Sequence, residues 1–121
     1  MFRTVMVALF LIPLSGCVAP GLYQWGGYES DLYSAYKDPT KVEAMRLNLE
    51  TQIALRESGG QKVAPGLYAE LGTLYLQLGS SEKAIAMYKK ERDAWPESKG
   101  LMTSMIQNLE RRQQDRQEVL K

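Results

Sequence analysis

The chain has 121 residues, with 15 basic and 14 acidic side chains, a formal net charge of +1, 45% apolar residues, one cysteine and no histidine. Without histidine, Ser-His-Asp and Cys-His nucleophile mechanisms and imidazole zinc sites are excluded. A near-neutral chain also has no electrostatic footprint for nucleic acid.

Met1-Phe2-Arg3 is a short basic start, and Val5 to Leu14 is an apolar run that contains Pro13 and no charge. It is about half the roughly 20 residues that a membrane-spanning helix needs, so it reads as the hydrophobic region of an export leader. By residue type alone, Cys17 fits a small buried hydrophobe, a nucleophile, a metal ligand or a point of covalent modification. Its setting favours modification, because Leu14-Ser15-Gly16-Cys17 resembles the lipobox of bacterial lipoprotein precursors. The resemblance implies diacylglycerol on the Cys17 thiol, cleavage before Cys17 and acylation of the new amine. Val18 stands where many lipoproteins kept in the inner membrane carry Asp, which by the same resemblance implies the periplasmic face of the outer membrane. The expected organisation is a leader at 1–16, a lipidated tether at 17–27, a helical domain at 28–112 and a polar tail at 113–121. Loss of Arg3 with the leader leaves a mature chain of net charge near zero and without a free thiol.

The tether has Pro20, Gly21, Gly26 and Gly27 and no helical period. Residues 29–37 predict a short helix that stops near Asp38-Pro39. Thr40 to Glu57 carries Val42, Met45, Leu49 and Ile53 at spacings of three and four, followed by Ser58-Gly59-Gly60, which is an amphipathic helix with a glycine stop. After Pro65, Leu67, Leu71, Leu74 and Leu78 mark a helix that ends at Gly79. Ser80-Ser81-Glu82 opens another, through Ala84, Ile85, Tyr88 and Trp95, broken by Pro96. The last helix begins near Ser98 and runs through Leu101, Met105, Ile106 and Leu109; beyond Arg111 the chain is a polar helix end or a frayed tail. No stretch alternates like a strand, so the expected class is all-α. The charges of Glu43, Arg46 and Glu50 and of Glu82, Lys83, Lys89, Lys90, Glu91 and Arg92 read as solvated helix faces. Gly26-Gly27 and Gly59-Gly60 lack the Lys-Ser/Thr of a phosphate loop. No catalytic or metal-binding constellation and no cofactor site emerges.

Residues 65–98 resemble one tetratricopeptide repeat, a unit of about 34 residues. With Pro65 at the first position, Tyr68 is the large residue of the repeat's first helix, Leu71-Gly72 the Leu-Gly pair and Tyr75 the residue one turn on. Gly79 falls at the turn, Ala84 at the small position of the second helix, Tyr88 at the aromatic one and Pro96 at the terminating proline. Glu91 departs from the pattern, standing where the family prefers Ala, and predicts looser packing of the next helix there. Such repeats bury their apolar faces only against neighbours. Leu32-Tyr33 and Ala44-Met45 match Leu74-Tyr75 and Ala86-Met87 at a constant offset of 42, so residues 29–57 read as a degenerate earlier hairpin. The architecture implied is about two tetratricopeptide-like antiparallel hairpins plus a C-terminal capping helix.

Tyr23 to Tyr28 resembles the Trp-Gly-x-Tyr motif of a family of short bacterial lipoproteins of unknown function, whose members tend to be encoded near other small lipoproteins. Trp25 and Tyr28 read either as a plug over the open end of the first hairpin or as an aromatic contact for a protein partner. The tetratricopeptide resemblance places Gly66, Ala69, Thr73, Leu76 and Gln77 on the concave, partner-binding surface. Their small, neutral side chains leave room for a helix or extended peptide, unless that face is solvated or covered by Val63-Ala64-Pro65 and the tether. The expected function is a non-catalytic outer-membrane lipoprotein that serves as a protein-binding adaptor or subunit of an envelope or secretion complex. The expected partners are the membrane, through the lipid, and proteins that include other envelope lipoproteins, with no nucleic acid and no small-molecule substrate. The alternative is an accessory activator of a peptidoglycan-synthesising or other envelope enzyme.

Overall fold

The structure, a computed structural model, describes residues 38–121. The expected leader, lipobox and tether, with Cys17, Trp25 and Tyr28, and the expected helix at 29–37 lie outside the described residues. A 3-10 turn at Pro39–Lys41 leads into α1 (Val42–Ser58); α2 (Leu67–Gln77) and α3 (Ser81–Ala94) follow, and a second 3-10 turn at Pro96–Ser98 enters α4 (Lys99–Val119). Among the described residues there is no strand, and each helix packs antiparallel on the one before it, giving an all-α helical-hairpin fold.

Local chemistry sets each boundary. The Asp38 carboxylate accepts from the Thr40 N–H at 3.0 Å and from its hydroxyl at 2.6 Å, while the Asp38 carbonyl accepts from the Lys41 N–H at 3.0 Å, a turn that starts α1. Helices α1 and α2 end alike. Gly60 and Gly79 take positive φ of 67° and 81°, open to glycine without steric cost. The next residues then donate back five positions, Gln61 to the Arg56 carbonyl at 2.9 Å and Ser80 to that of Tyr75 at 2.8 Å. Trp95, held extended at φ −130° and ψ 100° before Pro96, separates α3 from α4.

The core collects Met45, Leu49 and Ile53 of α1, Leu67, Tyr68, Leu71, Leu74 and Tyr75 of α2, Ala84, Ile85 and Tyr88 of α3, and Met102, Ile106 and Leu109 of α4. The loop residues Val63 and Ala64 are also buried in it, a contribution that periodicity does not reveal. The closest approach is between α2 and α3. A Cβ on Gly72 would lie 2.7 Å from Tyr88 Cε1 and 3.2 Å from the Ala84 carbonyl oxygen, so Gly72 is small because the Tyr88 ring occupies that space. The polar segment 113–121 takes the helix-end form, since α4 continues to Val119 with Gln113 half-buried and the residues after it exposed.

Glu91 corrects the sequence reading twice. It is 1% exposed rather than solvated. Rather than leaving a loose contact with the next helix, its Oε1 accepts from the Gly66 N–H at 2.8 Å and from the Ser98 hydroxyl at 3.2 Å. Gly66 precedes α2 and Ser98 precedes α4, so one carboxylate sits at the starts of two helices, whose N-terminal dipoles favour negative charge. The misreading came from its neighbours: Lys89, Lys90 and Arg92 surround it in sequence but point elsewhere.

Stability measurements by chemical denaturation on three variants test this packing. Gly72→Ala is expected to lose about 1–2 kcal/mol, because overpacking against a fully buried ring outweighs the helix propensity gained. Glu91→Ala is expected to lose about 2–4 kcal/mol through lost volume and an unpaired Gly66 N–H. Glu91→Gln, which keeps an acceptor and the volume, is expected to lose clearly less.

Candidate functional site

The row proposed for partner contact lies along one side of α2, and its members differ in availability. Gln77 and Gly66 are exposed, whereas Ala69, Thr73 and Leu76 are half-buried. Gly66, at φ +90°, has its N–H committed to Glu91. Thr73 Oγ1 donates to the Ala69 carbonyl at 3.1 Å and lies 3.0 Å from the Tyr88 hydroxyl, so it fastens α2 to α3. Ala69 and Leu76 pack partly against the core. The surface left to a visitor is therefore small and uncharged, with Gln77 as its one exposed polar side chain. Val63 and Ala64, weighed as a cover for this row, are spent in the core.

The packing residues all fall within the described chain. Tyr68, Leu71, Gly72, Tyr75, Ala84 and Tyr88 are buried between helices, Gly79 makes the turn and Pro96 opens the 3-10 turn before α4. The tyrosines do more than fill space, a role that sequence reasoning missed. Tyr68 donates its hydroxyl to Glu57 Oε1 at 2.6 Å, and Tyr75 donates to Glu50 Oε1 at 2.6 Å, so two hydroxyls of α2 bind two carboxylates of α1. Lys90 of α3 reaches the same Glu57 oxygen at 2.7 Å and lies 5.4 Å from the Tyr68 ring centre. Arg46 pairs with both Glu43 and Glu50 and sits 5.5 Å from the Tyr75 ring centre, with Lys83 on that ring at 5.3 Å. The Glu50–Tyr75 and Glu57–Tyr68 pairs are separated by seven residues in both helices, two helical turns, which is the sequence signal that relates them.

These contacts fix protonation states. The hydrogen bond from Lys90, then that from Tyr68, holds the Glu57 carboxyl below the ordinary value of 4.5. The Arg46 hydrogen bond lowers Glu43 in the same way. Burial, reinforced by Glu57, holds the Tyr68 hydroxyl protonated well above the usual tyrosine range. Among the described residues no group of three or more His, Cys, Asp or Glu side chains is gathered to hold a metal ion. No helix of the described residues is long and apolar enough to cross a membrane.

The profile of a domain of unknown function, DUF4810, matches residues 22–105, most of the chain. Comparison with curated proteins and with solved structures gives no significant match. The chain belongs to the DUF4810 family.

The Glu57 contacts make stability pH-dependent with a definite sign. A carboxyl with a folded pKa below its unfolded value gives stability that is complete above the unfolded value and lost as pH falls through the folded one. The melting temperature is thus expected to be flat from neutral pH to about 5 and to fall below about 4.5. Glu57→Gln is expected to melt lower at neutral pH and to show a shallower acid decline.

Proposed function

We propose that this member of the DUF4810 family is a non-catalytic lipoprotein of the outer membrane, acylated at Cys17, that presents a tetratricopeptide-like hairpin stack as an adaptor for a protein of the envelope. The observation that carries the reading is the register of α2 and α3. Tyr68, Leu71, Gly72, Tyr75, Ala84 and Tyr88 all pack at the interfaces where the repeat pattern puts interface residues, and Gly72 and Ala84 lie where helix meets helix. Side chains spent on packing leave the α2 row of Ala69, Thr73, Leu76 and Gln77 as the face for a partner helix or extended segment. The Leu14-Ser15-Gly16-Cys17 sequence supplies the attachment, and two or three acyl chains at roughly 0.8 kcal/mol per buried methylene hold it to one bilayer.

The test is the intact mass of protein purified from membranes in mild detergent, beside Cys17→Ser, followed by identification of what co-elutes. The expected product begins at Cys17 and carries acyl mass, with neither feature in the variant. It elutes with a stoichiometric protein that Leu76→Glu releases. An unprocessed chain with a free thiol removes the lipoprotein reading, and a processed monomer with no companion removes the adaptor reading.

A further inference from the structure

Helix α1 is joined to the other helices by two kinds of contact. Its inner side, Met45, Leu49 and Ile53, is buried in the core. Beside that strip runs a polar border whose acceptors are carboxylates of α1. Glu57 accepts from the Tyr68 hydroxyl of α2 and from Lys90 of α3, while Glu50 accepts from the Tyr75 hydroxyl and pairs with Arg46. Arg46 also pairs with Glu43, and Lys83 of α3 lies over the Tyr75 ring. The groups that face these carboxylates are thus Arg46 on α1 itself, Tyr68 and Tyr75 on α2, and Lys83 and Lys90 on α3. The remaining helices are fastened differently. Helices α2 and α3 meet through the Tyr88 ring at Gly72 and the Thr73 hydroxyl, and α4 joins them through Met102, Ile106, Leu109 and the hydrogen bonds of the buried Glu91.

We infer that α1 is an acid-released strap: it opens as a unit about residues 58–62, uncovers the side of α2 that carries Tyr68 and Tyr75, and leaves α2, α3 and α4 packed. The connection suits such a movement. Residues 58–62 are all exposed and include Gly59-Gly60, whereas Val63 and Ala64 are buried in the core, so the chain is held again just before α2 begins. In a stack of helical hairpins each layer touches only its neighbours, so an outer helix opens without unpacking the layers behind it. The border decides the trigger and its sign. The Lys90 hydrogen bond, then that of Tyr68, holds Glu57 below the ordinary carboxyl value of 4.5, and Arg46 holds Glu43 below it. Docking is therefore complete above that value and is lost as pH falls through the lowered ones. The acid loss of stability is thereby assigned to one helix rather than to the whole fold, and α1 becomes the cover of an apolar side of α2 with two phenol hydroxyls two turns apart. The inference rests on neither the lipid nor a partner.

Hydrogen exchange of the full chain tests it, read by mass spectrometry as protection relative to the free-peptide rate at the same pH. From neutral pH to about pH 3, protection of the α1 amides is expected to fall about tenfold or more, while that of α2 and α3 changes by less than about threefold. Glu57→Gln, measured at neutral pH, isolates the border from Glu91. It keeps the volume and an acceptor for Tyr68 but loses the charge that holds Lys90, and it is expected to lower α1 protection about tenfold with α2 and α3 unchanged. Loss of protection in α1, α2 and α3 together, in acid or in Glu57→Gln, overturns the inference, because the four helices then open as one unit. Protection of α1 that neither acid nor Glu57→Gln changes overturns it as well.

Discussion

The crossing of α2 and α3 over Gly72 is the constraint on which the remaining arrangement depends. Tyr88 is fully buried, and its ring stands where a Gly72 side chain would be. That approach brings the Tyr88 hydroxyl within 3.0 Å of Thr73 Oγ1, giving the buried phenol a polar partner. The connection between them is short, and Leu78-Gly79-Ser80 makes it with the backbone bonds of a glycine-terminated helix. With α2 locked on α3, Tyr68 and Tyr75 are left facing α1, and their hydroxyls select Glu57 and Glu50 as partners two turns apart.

Glu91 shows how the next layer is joined. Burying a carboxylate costs several kcal/mol unless it is hydrogen-bonded or compensated by positive charge or dipoles. Here the compensation is partial: Oε1 takes the Gly66 N–H and the Ser98 hydroxyl at the starts of α2 and α4, while the buried Oε2 makes no hydrogen bond. An alanine at this position would let α4 approach by apolar contact alone. The glutamate instead ties the entry of one helix to the entry of another, and so positions α4 by hydrogen bonds, which are directional, as well as by Met102, Ile106 and Leu109, which are not.

Helix positions were legible because the apolar residues of 40–57 and 65–98 recur at spacings of three and four between strong stops, Gly59-Gly60, Gly79 and Pro96. The small residues of the α2–α3 crossing, Gly72 and Ala84, were legible through the repeat pattern, whereas the Tyr88 ring in the space beside Gly72 is a finding of the structure. Glu91 was not, because its partners lie 25 residues back and 7 ahead, and local charge patterning outvoted them. The α2 row was legible as a set but not in its availability. Thr73 looks free in sequence, and only the position of Tyr88 shows its hydroxyl engaged. Leu47 and Leu55 are exposed on the side of α1 away from Met45, Leu49 and Ile53, which the stronger inner stripe obscures in the sequence.

Electrostatics separate the sides of the stack. Acidic residues of α1 are met by Arg46, Lys90 and two tyrosine hydroxyls, so the charge where α1 meets α2 and α3 is largely cancelled within the fold. The α2 row carries no formal charge at Gly66, Ala69, Thr73, Leu76 or Gln77. A surface without a strong field does not steer a ligand from a distance, and it discriminates by shape and by hydrogen bonding at contact. Such a surface suits a partner already held nearby, because tethering to a common membrane raises effective concentration and replaces long-range attraction. Under the proposed attachment at Cys17, the anchor and the small, neutral face on α2 would be two halves of one physical arrangement.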